Sequence, residues 1–175
     1  MNNLLEKAKK IKCLVCDVDG VLTDGLLYLD NHGNELKAFQ VQDGMGLKLL
    51  MAAGIEVAVI TTARNAVIDY RMQQLGIQHY FKGQVDKRQA FAELKERLGF
   101  ELEEFAYAGD DLPDLAIIQQ VGLGIAVANA VRQVKEFAVW VTENHGGRGA
   151  VREISDLILS AQDKFEIALA KYLLS

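Results

Sequence analysis

Short apolar runs alternate along the chain with longer stretches in which apolar residues recur at helical spacing. Residues 11–16, 56–60 and 105–108 are almost continuously apolar, as expected of strands that are covered on both faces. Strands that alternate with helices form a parallel sheet with helices on both sides. The pattern therefore predicts an α/β fold, a Rossmann-like doubly wound parallel sheet, in a single domain of residues 1–175.

The helices are predicted from apolar residues three and four positions apart and from the glycines that follow them. Gly54, Gly76 and Gly99 each stand where a helix is expected to end. The apolar stripe of the last segment indicates a core contact or, alternatively, a subunit contact. The predicted helices are residues 4–10, 44–53, 64–75, 86–98, 112–120 and 131–136, and residues 150–173 are predicted to form one or two more. The remaining strands are residues 80–81, 123–127 and 138–141.

Residues 25–42 interrupt the alternation of predicted strands and helices. Two extended stretches, residues 26–29 and 35–41, flank the sequence Asp30-Asn31-His32-Gly33-Asn34. Turn-forming residues between two strand-like runs are typical of a β-hairpin. We therefore expect a β-hairpin flap directly after the first strand of the sheet.

The composition excludes some classes of partner. Half of the 175 residues are apolar and a quarter are charged, as in an ordinary globular protein. The net charge is -5, and no block of lysine and arginine occurs after the first dozen residues, so nucleic acid and anionic membranes are not expected partners. No run is long enough to span a bilayer, and no apolar signal segment follows the basic start, which indicates a cytoplasmic protein.

Cys13 and Cys16 form a C-x-x-C sequence inside the first predicted strand. A redox or metal motif is one interpretation of this spacing. However, residues three apart on a strand point to opposite faces, and no other ligands are spaced for zinc. We therefore interpret the two cysteines as buried strand residues.

Polar residues that suit phosphate chemistry follow several of the predicted strands. In open α/β sheets, ligands bind beyond the carboxyl ends of the strands, so residues at these positions are expected to meet at one edge. Scattered surface residues would not all fall at strand ends. The residues in question are Asp17, Asp19, Thr61, Lys87, Asp110 and Asp111.

This set of residue types suits phosphoryl transfer. Carboxylates gathered in one place repel one another unless a cation joins them, and hard oxygen ligands favour Mg²⁺. A carboxylate such as Asp17 can attack phosphorus to form an aspartyl-phosphate, and Asp19, two residues on, can reach the same side as a second acid. Thr61 and Lys87 are donors of the kind that the developing charge needs. The set predicts a magnesium-dependent phosphatase.

The order of the motifs along the chain is more specific than any single residue. Asp17-Val18-Asp19-Gly20, then Thr61, then Lys87, then Gly109-Asp110-Asp111-Leu112-Pro113-Asp114 resembles the motif set of the haloacid dehalogenase-like superfamily of phosphohydrolases. The resemblance implies that Thr61 and Lys87 hold the phosphoryl group.

The same resemblance assigns roles to the aspartates. Asp17 is implied to be the nucleophile and Asp19 the general acid/base. A Mg²⁺ site is implied at Asp17, the backbone carbonyl of Asp19 and the carboxylate of Asp110. Asp111 and Asp114 would support the water shell of the metal and the lysine.

The resemblance extends to a narrower family. Large members of the superfamily carry a cap domain, whereas the corresponding insertions are short here, which is similar to members with no cap domain. The hairpin, Glu35-Leu36-Lys37-Ala38-Phe39 and His145-Gly146-Gly147-Arg148-Gly149 resemble the 3-deoxy-D-manno-octulosonate 8-phosphate phosphatase family. This implies a small phosphorylated sugar acid as substrate, a role in lipopolysaccharide synthesis and a homotetramer in which a neighbouring subunit helps to close the site.

Two positions depart from that family. Gln42 stands where the family usually has arginine, and Thr61-Thr62-Ala63-Arg64 replaces its usual Thr-Gly-Arg. These departures leave the substrate open between that sugar acid phosphate and another nonulosonate or small sugar phosphate. Arg148 either faces a substrate anion, which its planar guanidinium suits, or lies in a flexible turn. The candidate substrate-binding residues are Thr62, Arg64, Arg71 and Arg148.

A regulatory domain that carries a phospho-aspartate, or a catalytically silent interaction domain, is the alternative from a different class. Receiver domains also combine a strand-end aspartate with a threonine and a lysine on a parallel sheet. Asp19 argues against a receiver, because a long-lived phospho-aspartate gains nothing from an adjacent acid/base. The complete motif set argues against a silent domain.

Overall fold

A parallel sheet of six strands forms the centre of the computed structural model, which describes residues 2–173. Its order is β5-β4-β1-β6-β7-β8, so the chain winds outwards from β1 in one direction and then in the other. The predicted doubly wound α/β fold is therefore confirmed. The strands of the described residues are β1 (Cys13–Cys16), β2 (Tyr28–Leu29), β3 (Glu35–Leu36), β4 (Glu56–Ile60), β5 (His79–Phe81), β6 (Phe105–Gly109), β7 (Leu123–Ala126) and β8 (Trp140–Val141).

Helices cover both faces of the sheet. One layer contains α1, α2, α3 and α7, and the other contains α4, α5 and α6, as right-handed crossovers in the two winding directions require. The β1 side chains are completely buried between the layers, which explains why that run is continuously apolar. The helices are α1 (Asn2–Lys9), α2 (Val41–Ala52), α3 (Ala66–Leu75), α4 (Lys87–Leu98), α5 (Leu115–Ile118), α6 (Arg132–Phe137), α7 (Ala150–Ala161) and α8 (Phe165–Leu173).

Most predicted boundaries shift by a few residues, the predicted strand over residues 35–41 is only Glu35–Leu36, and the last segment is two helices, α7 and α8. Two of the differences have a clear local cause. Helix α2 begins at Val41 and not at residue 44, because the side chain of Gln40 accepts the N–H of Gln42 and caps the helix earlier. The predicted helix over residues 112–120 is a 3₁₀ turn, Leu112–Asp114, followed by the short α5. Asp111 and Asp114 form a reciprocal capping box around that turn, which favours the tighter geometry.

The predicted hairpin is present, and within residues 2–173 no further domain is inserted between β1 and α2. Strands β2 and β3 are antiparallel, with Tyr28 opposite Leu36 and Leu29 opposite Glu35. The carboxylate of Asp30 closes the turn by accepting the N–H groups of His32 and Asn34. The flap therefore lies between β1 and α2.

The two cysteines are buried free thiols on β1, as predicted for strand residues. Burial raises the pKa of both thiols above the usual range, which makes them poor nucleophiles and poor metal ligands. Among residues 2–173, no helix has both the length and the apolar character that a membrane span requires.

Asp43 joins α2 to the beginning of α7. Its buried carboxylate accepts the backbone N–H of Arg152 at 2.8 Å and that of Gly149 at 3.3 Å. Free N–H groups in the first turn of a helix need such an acceptor, and here it comes from another helix. Asp43 thus caps α7 through a tertiary contact.

We expect Asp43→Ala to lower the free energy of unfolding by about 1–3 kcal/mol, because two N–H groups lose their acceptor in a buried place. Urea denaturation followed by circular dichroism measures this change. Asp43→Asn keeps one acceptor oxygen and should lose less. Equal stability of Asp43→Ala and the unchanged protein would contradict the capping role.

Candidate active site

Asp17 and Asp19 lie where β1 ends at the carboxyl edge of the sheet. The carbonyl of Val18 accepts three N–H groups from the following turn, so the chain reverses at once after the strand. Gly20 has a φ of +87°, and a Cβ there would lie 2.0 Å from Oδ2 of Asp110. The turn therefore depends on a glycine that leaves room for the third carboxylate.

A small cavity of about 240 Å³ opens at this edge. Five aspartates line it, which makes the local charge strongly negative. The lining residues are Asp17, Asp19, Gly25, Thr62, Lys87, Asp110, Asp111, Pro113 and Asp114. The strand-end residues predicted to meet are thus brought together, with Thr62 in the place expected of Thr61.

Lys87 is the buried cation of the site, with 2% of its side chain exposed. Its Nζ lies 2.9 Å from Oδ1 of Asp17 and 2.7 Å from Oδ1 of Asp114. Burial alone lowers the pKa of this lysine, but the two carboxylates outweigh burial, so its pKa lies above the usual value. The lysine is therefore held charged next to Asp17.

Asp114 anchors the loop that follows β6. Its carboxylate accepts hydrogen bonds from Lys87, from the hydroxyl of Tyr107 at 2.8 Å, and from the N–H groups of Asp110 and Asp111. Both of its oxygens are used by protein donors. Asp114 consequently fixes Lys87 and the Asp110 loop relative to each other.

Asp17 and Asp110 supply the oxygens that a hard cation needs. Oxygens of these two residues and of Asp114 lie within 4.8 Å of one another. Burial, together with the charges of Asp17 and Asp114, raises the pKa of Asp110 to about 8. Burial also raises the pKa of Asp17, although Lys87 opposes the shift. Crowded carboxylates of this kind fit Mg²⁺, which prefers oxygen ligands and would offset their repulsion.

The two threonines after β4 differ in their surroundings. Thr61 is completely buried, and its hydroxyl oxygen accepts the N–H of Ala63 at 3.1 Å. Thr62 is exposed and lines the cavity. Thr61 therefore shapes the loop, and its hydroxyl hydrogen remains available to a neighbouring acceptor.

The three candidate arginines lie outside the cavity of the single chain. Arg64 is exposed and packs beside Gly83. Arg71 lies against the ring of Phe39, with its guanidinium carbon 5.7 Å from the ring centre. Arg148 is exposed, and its Nη2 lies 3.3 Å from Oδ2 of Asp24 at the base of the hairpin. The structure does not place these three side chains in the cavity that Asp17, Asp19 and Lys87 line.

Lys37, to which the sequence motifs assign no role, reaches the site from the hairpin. Its Nζ lies 2.5 Å from Oδ1 of Asp19 and 2.6 Å from Oε1 of Glu35. Glu35 and Lys37 are two residues apart and therefore share one face of an extended chain. This spacing could have indicated that the two side chains lie together, but it does not identify Asp19 as the partner of Lys37.

Asn129 is a second residue that was missed. Its side-chain N–H donates to the carbonyl of Gly20 at 2.9 Å, and its oxygen accepts the N–H of Gly146 at 2.6 Å. A Cβ on Gly146 would lie 1.7 Å from the oxygen of Gly20. The glycine-rich segment before α7 thus packs directly on the turn that carries Asp19.

Comparison with known proteins shows which family this chain is similar to. Residues 71–154 match the family model of haloacid dehalogenase-like hydrolases. The 3-deoxy-D-manno-octulosonate 8-phosphate phosphatase KdsC of Yersinia pestis is 48% identical over 165 residues, which is 94% of this chain and 88% of that protein.

Solved structures agree with this finding. A haloacid dehalogenase superfamily (subfamily III A) hydrolase from Legionella pneumophila is 73% identical, with a TM-score of 0.97, over 100% of this chain and 96% of that one. The 3-deoxy-D-manno-octulosonate 8-phosphate phosphatase from Moraxella catarrhalis, solved with magnesium, phosphate and the sugar acid, is 45% identical with a TM-score of 0.95. That comparison covers 98% of this chain and 99% of the other.

We expect the affinity for Mg²⁺ to fall as the pH is lowered from about 9 to about 6, because protons then compete for Asp110, whose pKa is raised to about 8. Below that pKa, binding must release a proton. Calorimetric titration in buffers of different ionisation enthalpy measures both quantities.

Asp110→Asn is the matched variant, since it should bind Mg²⁺ more weakly and with a smaller pH dependence. An affinity of the unchanged protein that stays constant over this range, with no proton release, would contradict the raised pKa.

Proposed function

The chain belongs to the haloacid dehalogenase-like hydrolases, in the branch that includes the 3-deoxy-D-manno-octulosonate 8-phosphate phosphatases, and from this premise we propose its reaction. The reaction is magnesium-dependent hydrolysis of 3-deoxy-D-manno-octulosonate 8-phosphate to the free sugar acid and phosphate, a step of lipopolysaccharide biosynthesis. The observation that carries the proposal is the arrangement of Asp17, Asp19, Lys87 and Asp110 around one cavity.

Asp17 is the proposed nucleophile. Its carboxylate is buried and touches Lys87, whose charge favours the ionised form that can attack phosphorus. Attack forms the Asp17–phosphorus bond and breaks the ester bond to the sugar. The ammonium of Lys87 also lies where it can offset the charge of the transferred group.

Asp19 is the proposed acid/base. It lines the same cavity as Asp17 and follows it by two residues. It gives a proton to the leaving sugar oxygen and then takes one from the water that cleaves the aspartyl-phosphate. One residue can serve both steps because the leaving oxygen and the attacking water occupy the same side of phosphorus.

We assign the Mg²⁺ ligands to the carboxylates of Asp17 and Asp110 and to the backbone carbonyl of Asp19. The ion supplies positive charge next to the phosphate. Asp114 is not assigned as a ligand because it already accepts four hydrogen bonds from the protein. Asp114 and Asp111 are proposed to support the lysine and the water around the ion.

The phosphate and sugar contacts are proposed from position. The hydroxyl of Thr61 and the exposed Thr62 stand at the carboxyl edge, where they can donate to phosphoryl oxygens. Arg64, Arg71 and Arg148 remain candidate contacts for the sugar acid. They are proposed to reach it across a subunit boundary or when the site closes around the substrate. A single chain of residues 1–175 is the proposed catalytic domain, and the cytoplasm is its proposed compartment.

Self-association into a homotetramer is proposed from the hairpin surface. Leu26, Leu27, Leu29 and Leu36 of the hairpin are each 60% exposed or more, and Val41, the first residue of α2, is 74% exposed. Such a cluster of exposed large apolar side chains is unusual on a monomer and is typical of a protein interface. The hairpin is therefore the proposed subunit contact.

We expect Asp17→Asn to release phosphate at least about a thousandfold more slowly, since an amide does not attack phosphorus. Phosphate release from 3-deoxy-D-manno-octulosonate 8-phosphate with Mg²⁺ measures the rate. Asp156→Asn, which alters a carboxylate paired with Arg152 on α7, is the control and should keep full activity. Undiminished phosphate release by Asp17→Asn would sink the mechanism.

The same assay on a panel of sugar phosphates decides between the two candidate substrates. We expect the highest kcat/KM with 3-deoxy-D-manno-octulosonate 8-phosphate. A higher value with another nonulosonate phosphate would transfer the proposal to that substrate, which the exposed Gln42 and the Ala63 position leave open.

The double variant Leu27→Glu, Leu29→Glu should dissociate the assembly, because charges replace apolar side chains at the proposed contact. Size-exclusion chromatography with light scattering measures the mass. Ile167→Glu, at an equally exposed apolar position on α8, is the control. Dissociation by the control and not by the double variant would move the contact to the terminal helix.

A further inference from the structure

Lys37 is half-buried as a residue, but its side chain is shielded from solvent although the hairpin around it is exposed. Only 3% of its side chain is exposed, whereas Leu36 beside it is 65% exposed. Its Nζ lies between Oδ1 of Asp19, at 2.5 Å, and Oε1 of Glu35, at 2.6 Å. A lysine held between two carboxylates in this way has a fixed position and is not a solvated surface residue.

Glu35 connects this lysine to the sheet. The second oxygen of its carboxylate, Oε2, accepts the side-chain N–H of Asn65 at 2.6 Å. Asn65 occupies the N-cap position of α3, which follows β4. A continuous chain of contacts therefore runs from Asp19 through Lys37 and Glu35 to Asn65 at the start of α3.

Asp19 needs such a support more than Asp17 does. Asp17 is buried and touches Lys87, while Asp19 lies on the turn beyond the strand with 38% of its side chain exposed. Within the described residues, the side-chain hydrogen bond of Asp19 is the one from Lys37. A general acid must point along a defined line to the leaving oxygen, so its orientation affects the rate directly.

We propose that Lys37 is a positioning residue that orients Asp19 for proton transfer, with Glu35 and Asn65 as its anchor. Lys37 binds Oδ1, and the proton passes between Oδ2 and the ester oxygen as the phosphorus–oxygen bond breaks. The hairpin is thereby part of the active site of its own chain. This inference rests on the acid/base role proposed for Asp19.

The test uses the dependence of kcat/KM on the leaving group. p-Nitrophenyl phosphate releases a stable phenolate that needs no proton, whereas an alkyl phosphate such as the sugar substrate releases an oxygen that does. We expect Lys37→Met to lower kcat/KM about 10–100-fold for alkyl phosphates and less than about threefold for p-nitrophenyl phosphate. A role in phosphate binding or in folding would lower both alike.

Asp19→Asn provides the reference pattern. It should show the same selective loss, and adding Lys37→Met to it should cause little further loss, because both changes remove one function. If Asp19→Asn shows no dependence on the leaving group, the proposed acid/base role itself fails. If Asp19→Asn shows this dependence but Lys37→Met lowers kcat/KM equally for both substrates, only the role of Lys37 is overturned.

Lys12→Met is the matched control. Lys12 forms an equally short ion pair with Glu104, 2.5 Å apart, at the opposite edge of the sheet, and its loss should leave both substrates unaffected. Should Lys37→Met not fold, Glu35→Gln keeps the lysine but weakens its anchor. It should give a smaller selective loss with alkyl phosphates, and equal loss with both substrates would overturn the proposal.

Discussion

The ion pairs of Lys87 at the end of β1 are the constraint on which the rest of the site depends. A buried ammonium is strongly unfavourable unless carboxylates surround it, and removing one partner of such a group costs about 3–5 kcal/mol. Asp17 and Asp114 supply the partners, and Asp114 in turn holds the loop after β6. The strand, the helix α4 and the loop are therefore fixed to one another by charge. Among the described residues, Asp110 is left with no cation of its own, and burial and the neighbouring carboxylates raise its pKa to about 8. The same arrangement that holds the lysine therefore favours a bound cation, with which Asp110 can ionise.

The sequence predicted this part of the site because it depends on topology alone. Asp17, Thr61 and Asp110 stand at strand ends, and a parallel sheet brings the ends of its strands to one edge whatever the loops do. The helix ends at Gly76 and Gly99 were predictable for a similar reason, since each depends on a local backbone geometry. Local and topological rules were thus enough to predict which side chains meet at this edge.

Lys37 and Asn129 could not be predicted in this way, because their roles depend on tertiary contacts between distant segments. Asn129 follows β7 as an ordinary polar loop residue, and only the packing of Gly146 on Gly20 gives it two partners. The start of α2 was misplaced for a smaller reason, the side-chain cap from Gln40. A motif does not fix the direction of side chains a few positions beyond it. Arg64, which follows Thr61 by three residues, lies on the outside of its loop.

The hairpin has two faces with different chemistry, and this follows from the period of two along a strand. Glu35 and Lys37 turn towards the main domain and the cavity, while Leu36 between them turns outwards with the other exposed leucines. A flap of this size buries too little apolar surface to be stable alone, since a two-stranded hairpin is marginal in water. Its position must therefore come from the ion pairs on one face and, in the proposed assembly, from apolar contacts on the other. A change on the outer face would then reach Asp19 through the backbone of three consecutive residues, so the proposed subunit contact and the proposed proton transfer share one structural element.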